Sequence, residues 1–128
     1  MPAWNDYKRI AKERGSLALE LYVVESTPIE SMDKVKEILP DHLAYQQSLE
    51  ESGSLAFAGP LSDETGELMQ GVGLIVYRAV SLSSAKDLAE NDPMHVNGVR
   101  SYSIRKWLIN EGSVNIQLGL STNKAELS

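Results

Sequence analysis

Apolar residues repeat along this sequence with either the period of a strand or the period of a helix. The order in which these two patterns follow each other limits the possible folds more than any other feature of the sequence. A period of two predicts a first strand, since aliphatic side chains occupy every second position at Leu17, Leu19, Leu21 and Val23. A helical pattern, two strand-like segments, a second helical pattern and a last strand-like segment follow. This order is that of the ferredoxin-like βαββαβ fold. We therefore predict an α+β domain with one antiparallel sheet and both helices on one face.

The first helix is predicted to begin at a capping box. Thr27 would accept from the backbone, Pro28 would take the first helical position, and Glu30 would reach back to the cap. Pro40 removes a backbone donor, so we expect the helix to kink or restart there. Gly53 supplies the left-handed residue that ends many helices.

Turn and capping residues divide the later part of the chain into four further elements. In chain order these are a strand over residues 55–58 that stops at Gly59 and Pro60, a strand over 72–80, a helix capped by Ser81 or Ser83, and a strand over 99–109. The strand over 72–80 is an almost unbroken apolar run, which indicates a central place in the sheet.

The length of 128 residues is typical of one domain with one hydrophobic core. We expect a single domain over residues 1–128 whose core spans about 17–109, with an N-terminal helix over 1–16 and a C-terminal strand over 113–120 as additions. The sheet face turned from the helices would be bare, and a second subunit is the simplest cover, so we predict a homodimer. The amphipathic C-terminal strand is expected to pair with an exposed sheet edge.

Composition argues against several classes of function. Lys and Arg total 12 against 18 Asp and Glu, and the resulting net charge of −6 disfavours nucleic acid as a partner. The absence of Cys excludes a disulfide framework, a thiol nucleophile and a thiolate metal site, and it suits a cytoplasmic location. The apolar runs are strand-sized, so no membrane partner is expected.

His42 and Asp92 are the candidate catalytic pair. An imidazole can act as an acid or a base near neutral pH. In the βαββαβ fold the start of the first helix and the end of the second lie at the same end of the layer, so the two side chains could meet. A carboxylate there would fix the tautomer and the orientation of the ring. The alternative is a His42 that only caps or packs and an Asp92 that stabilises the turn before Pro93.

Further side chains could contribute to a substrate pocket. His95 follows Asp92 closely and could compete for it, supply a second base or line the rim. The tyrosines at Tyr22, Tyr77 and Tyr102 are placed on the sheet face turned from the helices, where they would line a pocket in a dimer or pack an ordinary interface. No His or Asp pair has the spacing of zinc motifs, and no glycine-rich turn joins a strand to a helix, so neither metal nor cofactor is predicted.

Four short elements carry turn and site residues in a fixed order: Leu39-Pro40-Asp41-His42-Leu43, the Gly53 helix stop, Leu55-Ala56-Phe57-Ala58-Gly59-Pro60-Leu61, and Asn91-Asp92-Pro93-Met94. In this order they resemble the YciI-like (YCII-related) family, and the resemblance covers about residues 17–109. It implies a dimeric α+β barrel, in which two sheets meet face to face, and a pocket with a His-Asp pair at His42 and Asp92. Gly59 and Pro60 would form the family's Gly-Pro turn in the pocket wall.

Two functions compete. The family resemblance includes a dehydrochlorinase acting on a chlorinated hydroxyquinol, but sharing a fold does not transfer a substrate. The first hypothesis is a cofactor-free enzyme of lyase or isomerase type, in which His42, oriented by Asp92, moves protons on a small cyclic or aromatic molecule. The second is a non-catalytic pocket for a small ligand, or a dimerisation module. Muconolactone isomerases and cofactor-independent monooxygenases share the barrel, but no local motif of theirs is present.

Overall fold

The helices and strands follow the predicted order. The structure, a computed structural model, describes residues 1–128. Its elements are α1 (Trp4–Glu13), β1 (Leu19–Pro28), α2 (Met32–Ser52), β2 (Leu55–Ser62), β3 (Met69–Tyr77), α3 (Leu82–Glu90), α4 (Pro93–Val96), β4 (Arg100–Ile109), β5 (Ile116–Leu118) and β6 (Ala125–Leu127). The chain forms a core unit, Glu20–Trp107, and a terminal unit made of Met1–Leu19 and Leu108–Ser128.

The main sheet has the strand order β2-β3-β1-β4. β3 lies between β2 and β1 and is antiparallel to both. This is the ferredoxin-like arrangement, and it confirms the predicted fold class. The core of the unit lies between the sheet and its helices, where Val24 and Ile75 of the strands pack with Leu49 of α2 and with Ala85 and Ala89 of α3.

The prediction that the tyrosines lie on the sheet face turned from the helices is wrong. Tyr22 and Tyr77 are opposite each other in the β1–β3 register and are each 1% exposed within the helix-facing core. Tyr102 packs against the same core, and its hydroxyl donates to Glu90. Because side chains alternate along a strand, Tyr22 shares the face of Val24 rather than that of Leu21. The bulk of the rings fills the space under the helices.

The first helix begins later than predicted. β1 continues through Thr27 and Pro28, and α2 begins at Met32 with Ser31 as its N-cap. The Ser31 hydroxyl accepts from the backbone N–H of Lys34 at 3.4 Å. The capping-box prediction is wrong because sheet pairing of β1 prevails over a local cap.

The C-terminus of the first helix matches the prediction, but its proline does not interrupt it. Pro40 lies inside a single α2. Gly53 ends the helix with φ +85°, as predicted.

The second strand does not stop at the Gly-Pro pair. Gly59 and Pro60 lie inside β2 and are opposite Leu74 and Gly73 of β3. β2 is the edge strand of the sheet, and an edge strand tolerates a residue without a backbone donor. The prediction of a turn at this pair is therefore wrong.

Two later boundaries are confirmed. The Ser81 hydroxyl accepts from the Ser84 backbone N–H at 3.1 Å and caps α3. β4 covers Arg100–Ile109, as the β-branched and aromatic run over 99–109 predicted.

The opposite face of the main sheet is only partly covered. Leu21 and Val76 are buried, whereas Phe57 is 56% exposed and Trp107 46% exposed. Phe57 pairs with Val76 and therefore lies on the same face. Trp107 is three positions after Ile104 of β4, whose side chain points toward the helices, so the Trp107 side chain points to the opposite face.

The C-terminal strand forms a hairpin inside the terminal unit. β5 covers only Ile116–Leu118 and pairs antiparallel with β6, Ala125–Leu127. The strand is thus shorter than the predicted range over 113–120, and within the chain its partner is a second short strand. No helix combines the length and the apolar character that crossing a bilayer requires.

Candidate active site

His42 lies on the inward stripe of α2. Val35, His42 and Leu49 are seven residues apart, so they share one side of the helix. Val35 packs in a cluster with Met94 and Val99, and Leu49 packs in the main core. The imidazole sits between the two clusters, and its side chain is 16% exposed. The helix therefore presents the ring inward and leaves part of it accessible.

Asp92 is held at the junction between α3 and α4. Its backbone and side chain make it the N-cap of α4, and its Oδ1 accepts from the Met94 backbone N–H at 3.0 Å. The side chain is 0% exposed. A buried carboxylate needs several donors to offset its lost hydration, and one helical cap is not enough.

The second donor to Asp92 is His42. Its Nδ1 lies 2.8 Å from Oδ1 and 2.9 Å from Oδ2 of Asp92. An ionised carboxylate only accepts, so the proton in this contact is on Nδ1. Nε2 of the same ring makes no hydrogen bond within the protein. The contact thus fixes the tautomer and leaves a free lone pair on the opposite ring nitrogen.

The charge of the Asp92 carboxylate also reaches other ionisable groups. Burial first, and then this carboxylate, raise the pKa of Tyr45 and of Tyr77. Burial lowers the pKa of the Arg100 guanidinium, and the same carboxylate opposes that effect. The carboxylate therefore favours protonated phenols and a charged guanidinium around the dyad.

A cavity of about 440 Å³ adjoins the His42 ring in the core unit. Most of its wall is apolar. The apolar lining comes from α2, β2, β3 and α4, with Met32, Val35, Leu39, Leu43, Ala58, Pro60, Met69, Val72, Leu74, Ile75 and Met94 among its members. The polar side chains in the wall are His42, Ser26, Gln46 and Arg100. An apolar cleft with a few convergent polar groups is the usual form of a small-molecule site.

The sequence-predicted pocket residues divide into two groups. Gly59 and Pro60 line the cavity from β2. The three tyrosines at Tyr22, Tyr77 and Tyr102 do not line it and belong to the core beneath the helices. The Gly-Pro pair contributes as part of an edge strand rather than as a turn.

His95 does not contact the Asp92 carboxylate. Its Nδ1 lies 2.7 Å from the Ala89 carbonyl oxygen, and its Nε2 lies 2.8 Å from the Ser26 hydroxyl. The ring also lies against Tyr102, with 4.7 Å between ring centroids. Since both nitrogens are already bonded, His95 does not compete for Asp92 and does not line the cavity.

Arg100, Ser26 and Gln46 are the three polar residues of the cavity wall that sequence reasoning missed. Arg100 Nε donates to the Ser26 hydroxyl at 2.9 Å, and Nη2 donates to the Ser26 carbonyl at 2.8 Å and to the Gly71 carbonyl. One signal was available: Ser26 interrupts the apolar face that Tyr22 and Val24 begin in β1. A polar residue at a core position of a strand needs a buried partner.

The side chains that could bind a metal ion do not form a cluster. No group of three or more His, Asp or Glu side chains lies close enough to hold an ion.

Comparison with known proteins gives a family and similar solved structures. The family model for the YCII-related domain matches residues 20–108. The 5-chloro-2-hydroxyhydroquinone dehydrochlorinase of Burkholderia phenoliruptrix, solved in complex with 2,5-dihydroxybenzoquinone, is similar with a TM-score of 0.55 and 19% identity, over 68% of this chain and 92% of that chain. No curated protein matches the chain significantly. At this identity the structural likeness shows a shared fold.

Proposed function

The chain belongs to the YCII-related family, and from that membership we propose that it is a small-molecule enzyme using His42 and Asp92 for acid–base chemistry. The observation that carries this proposal is the asymmetric use of the His42 ring. Nδ1 is bonded to a fully buried carboxylate, while Nε2 is unbonded beside an apolar cavity. A base held in one tautomer with its lone pair beside a pocket is the arrangement that proton abstraction needs.

The proton follows a short path in this proposal. Nε2 of His42 takes a proton from the bound substrate, and the resulting imidazolium stays bonded through Nδ1 to the Asp92 carboxylate. In an elimination, the electrons left on the substrate form the new double bond, and the leaving group departs with its bonding pair. In an isomerisation, the imidazolium returns the proton to another atom of the substrate. Asp92 acts on the ring and not on the substrate.

The cavity suits a small cyclic or aromatic compound. Its volume of about 440 Å³ lies in the range of small-ligand pockets. Apolar walls favour the faces of a ring, and they exclude water from the reacting proton. The similar dehydrochlorinase is named for 5-chloro-2-hydroxyhydroquinone, so chlorinated and hydroxylated rings are the first substrates to test.

A homodimer formed through the sheet face opposite α2 and α3 is part of the proposal. Phe57 and Trp107 are exposed on that face, and covering them removes apolar surface from water. Size-exclusion chromatography with light scattering should give twice the mass of 14.1 kDa. A mass of one chain, unchanged by Trp107→Glu, would contradict this assembly.

Turnover of ring compounds tests the catalytic proposal. Halide release and ultraviolet absorbance should be followed for a panel of chlorinated hydroxyquinols and hydroxylated rings. His42→Asn and Asp92→Asn should each lower kcat by about 10²- to 10⁴-fold, because a positioned general base contributes a factor of that size.

Asp87→Asn is the matched control for these variants, because Asp87 is an exposed carboxylate on α3 of the same unit. It should leave turnover unchanged. Activity that survives both dyad variants would contradict the mechanism. Ligand binding without turnover across the panel would instead favour a non-catalytic small-ligand protein.

A further inference from the structure

Arg100 is a cation in the cavity wall to which no carboxylate is hydrogen-bonded, and the Asp92 charge acts on it only through space. All three of its acceptors are uncharged: the hydroxyl and the carbonyl of Ser26, and the carbonyl of Gly71. Arg100 takes no part in the ion pairs of Arg9 with Glu13, of Lys34 with Glu30 and of His42 with Asp92. A half-buried guanidinium without a directly bonded carboxylate is stabilised further when an anion forms hydrogen bonds with it.

Two donors of the guanidinium are still free. A guanidinium carries five N–H groups, and the contacts to Ser26 and Gly71 use the one on Nε and the two on Nη2. Nη1 makes no hydrogen bond within the protein, and Arg100 lines the same cavity as His42. Two N–H groups on one nitrogen, carried by a fixed cation, can receive a negatively charged oxygen.

We propose that Arg100 binds an anionic oxygen of the ligand, so that the substrate is a small ring compound bearing a carboxylate, phenolate or enolate. This inference rests on the proposed function, because it places the anion in the cavity that His42 lines. An oxygen that gains charge as His42 removes a proton would be stabilised by the same guanidinium.

The orientation of Arg100 is fixed by a chain of hydrogen bonds that ends at His95. The Ser26 hydroxyl accepts from Arg100 Nε, so its own proton is available to His95 Nε2 at 2.8 Å. His95 accepts at Nε2 and donates from Nδ1 to the Ala89 carbonyl oxygen at 2.7 Å. Each group in the chain therefore has one role, and the unused face of the guanidinium is held in place before a ligand arrives.

Glycine at position 73 keeps space beside the cation. A Cβ built there would lie 4.0 Å from Arg100 Nη2 and 3.5 Å from the Gly59 carbonyl oxygen. A larger side chain on this residue would extend beyond its Cβ into the same region of the cavity wall. The small residue is consistent with room for a ligand next to the guanidinium.

Benzoate and benzamide are matched probes for this site, since they have nearly the same shape and differ in charge. Their binding should be measured by titration with observation of backbone amide NMR shifts at Gly71 and Gly73. The wild-type protein should prefer benzoate. Arg100→Gln should weaken benzoate binding by about 10- to 100-fold and leave benzamide binding nearly unchanged, because charge-assisted hydrogen bonds are lost only for the anion.

Lys86→Gln is the matched control, because it removes one positive charge from an exposed position on α3. It should keep the preference for benzoate. Equal affinity of the wild-type protein for the two probes, or a preference that persists in Arg100→Gln, would overturn the inference.

A measurement on the wild-type protein guards against misfolding of the Arg100 variant. The Arg100 Nε–H resonance should move when benzoate is added and stay in place with benzamide, and equal responses to both would overturn the inference. These readouts need no turnover, so they separate the inference from the proposed function. If substitution of His42 has no effect on turnover but the protein still prefers benzoate, only the catalytic proposal is refuted. If turnover depends on His42 but the protein does not prefer benzoate, only the role of Arg100 is refuted.

Discussion

Replacing Asp92 with alanine removes two interactions of one buried carboxylate. The first is the cap on the Met94 backbone N–H at 3.0 Å, and loss of such a cap costs about 1 kcal/mol. The second is the contact with His42 Nδ1 at 2.8 Å, whose loss leaves a largely buried donor without an acceptor and costs about 1–3 kcal/mol. We expect Asp92→Ala to lower the free energy of unfolding by about 2–4 kcal/mol.

The asparagine variant separates the two interactions. Its amide oxygen can still cap Met94, while its NH₂ group must face His42 Nδ1, which then has to accept. Because the ring can change tautomer to do so, Asp92→Asn should cost only about 1 kcal/mol in unfolding free energy. The two variants therefore differ much more in stability than in their expected effect on turnover.

Equilibrium urea unfolding at neutral pH, followed by far-ultraviolet circular dichroism, measures these differences. Asp87→Ala is the control, and as an exposed substitution it should stay within about 0.5 kcal/mol of the wild type. The double variant with His42→Ala should show a coupling energy of about 0.5–3 kcal/mol between the two residues. An Asp92→Ala variant as stable as the wild type, or a coupling energy of zero, would refute the paired geometry.

Three other substitutions or titrations test the packing. Tyr77→Phe removes a buried hydroxyl that has no hydrogen-bond partner, so the melting temperature should stay the same or rise, and a clear fall would contradict this reading. Gly71→Ala should cost about 1–2 kcal/mol in urea unfolding, since φ is +92° and the new Cβ would lie 3.0 Å from Pro28 Cγ, whereas Gly59→Ala meets nothing and should be near neutral. Burial, and then the Glu20 carboxylate, raise the pKa of Tyr22 to about 12. The unfolded chain releases this proton at lower pH than the folded one, so stability should fall as pH rises from about 10 to 12, and less so in Tyr22→Phe.

Local signals in the sequence were sufficient where the structure uses local chemistry. Ser81 caps α3 through the backbone N–H three residues ahead, and Gly53 ends α2 by its own left-handed conformation. Both depend on neighbours in the sequence, so a pattern can find them. Thr27 and Pro28 also formed a plausible cap, but pairing of β1 with distant strands decided their conformation.

Tertiary placement explains the other errors. Which face of β1 meets the helices is not set by its alternation, since Leu21 and Tyr22 are both buried. Gly59 and Pro60 read as a turn but lie in an edge strand, because β3 offers a partner for each. The pairing of the amphipathic strand β5 with β6 is likewise a tertiary contact that the sequence pattern does not predict.

The candidate site was half predictable from topology. The βαββαβ order indicated that His42 and Asp92 could approach each other, and the family resemblance implied the pair. Element order placed His42 at the start of a helix, whereas it lies in the middle of α2. Arg100 gave no such signal, because its partners Ser26 and Gly71 are 74 and 29 residues away in the chain. The role of Arg100 depends on contacts that its side chain makes with residues on other strands. Neither the periodicity of the sequence nor the spacing of its residues predicts such contacts.

The tautomer of the neutral His42 ring tests the central claim most directly. Long-range ¹H–¹⁵N NMR on protein labelled at histidine nitrogens distinguishes a protonated ring nitrogen from one with a free lone pair. We predict a proton on Nδ1 and a lone pair on Nε2 in the wild type, with the two exchanged in Asp92→Asn. A wild-type ring protonated on Nε2, or a spectrum that Asp92→Asn leaves unchanged, would show that the carboxylate does not prepare this histidine as a base.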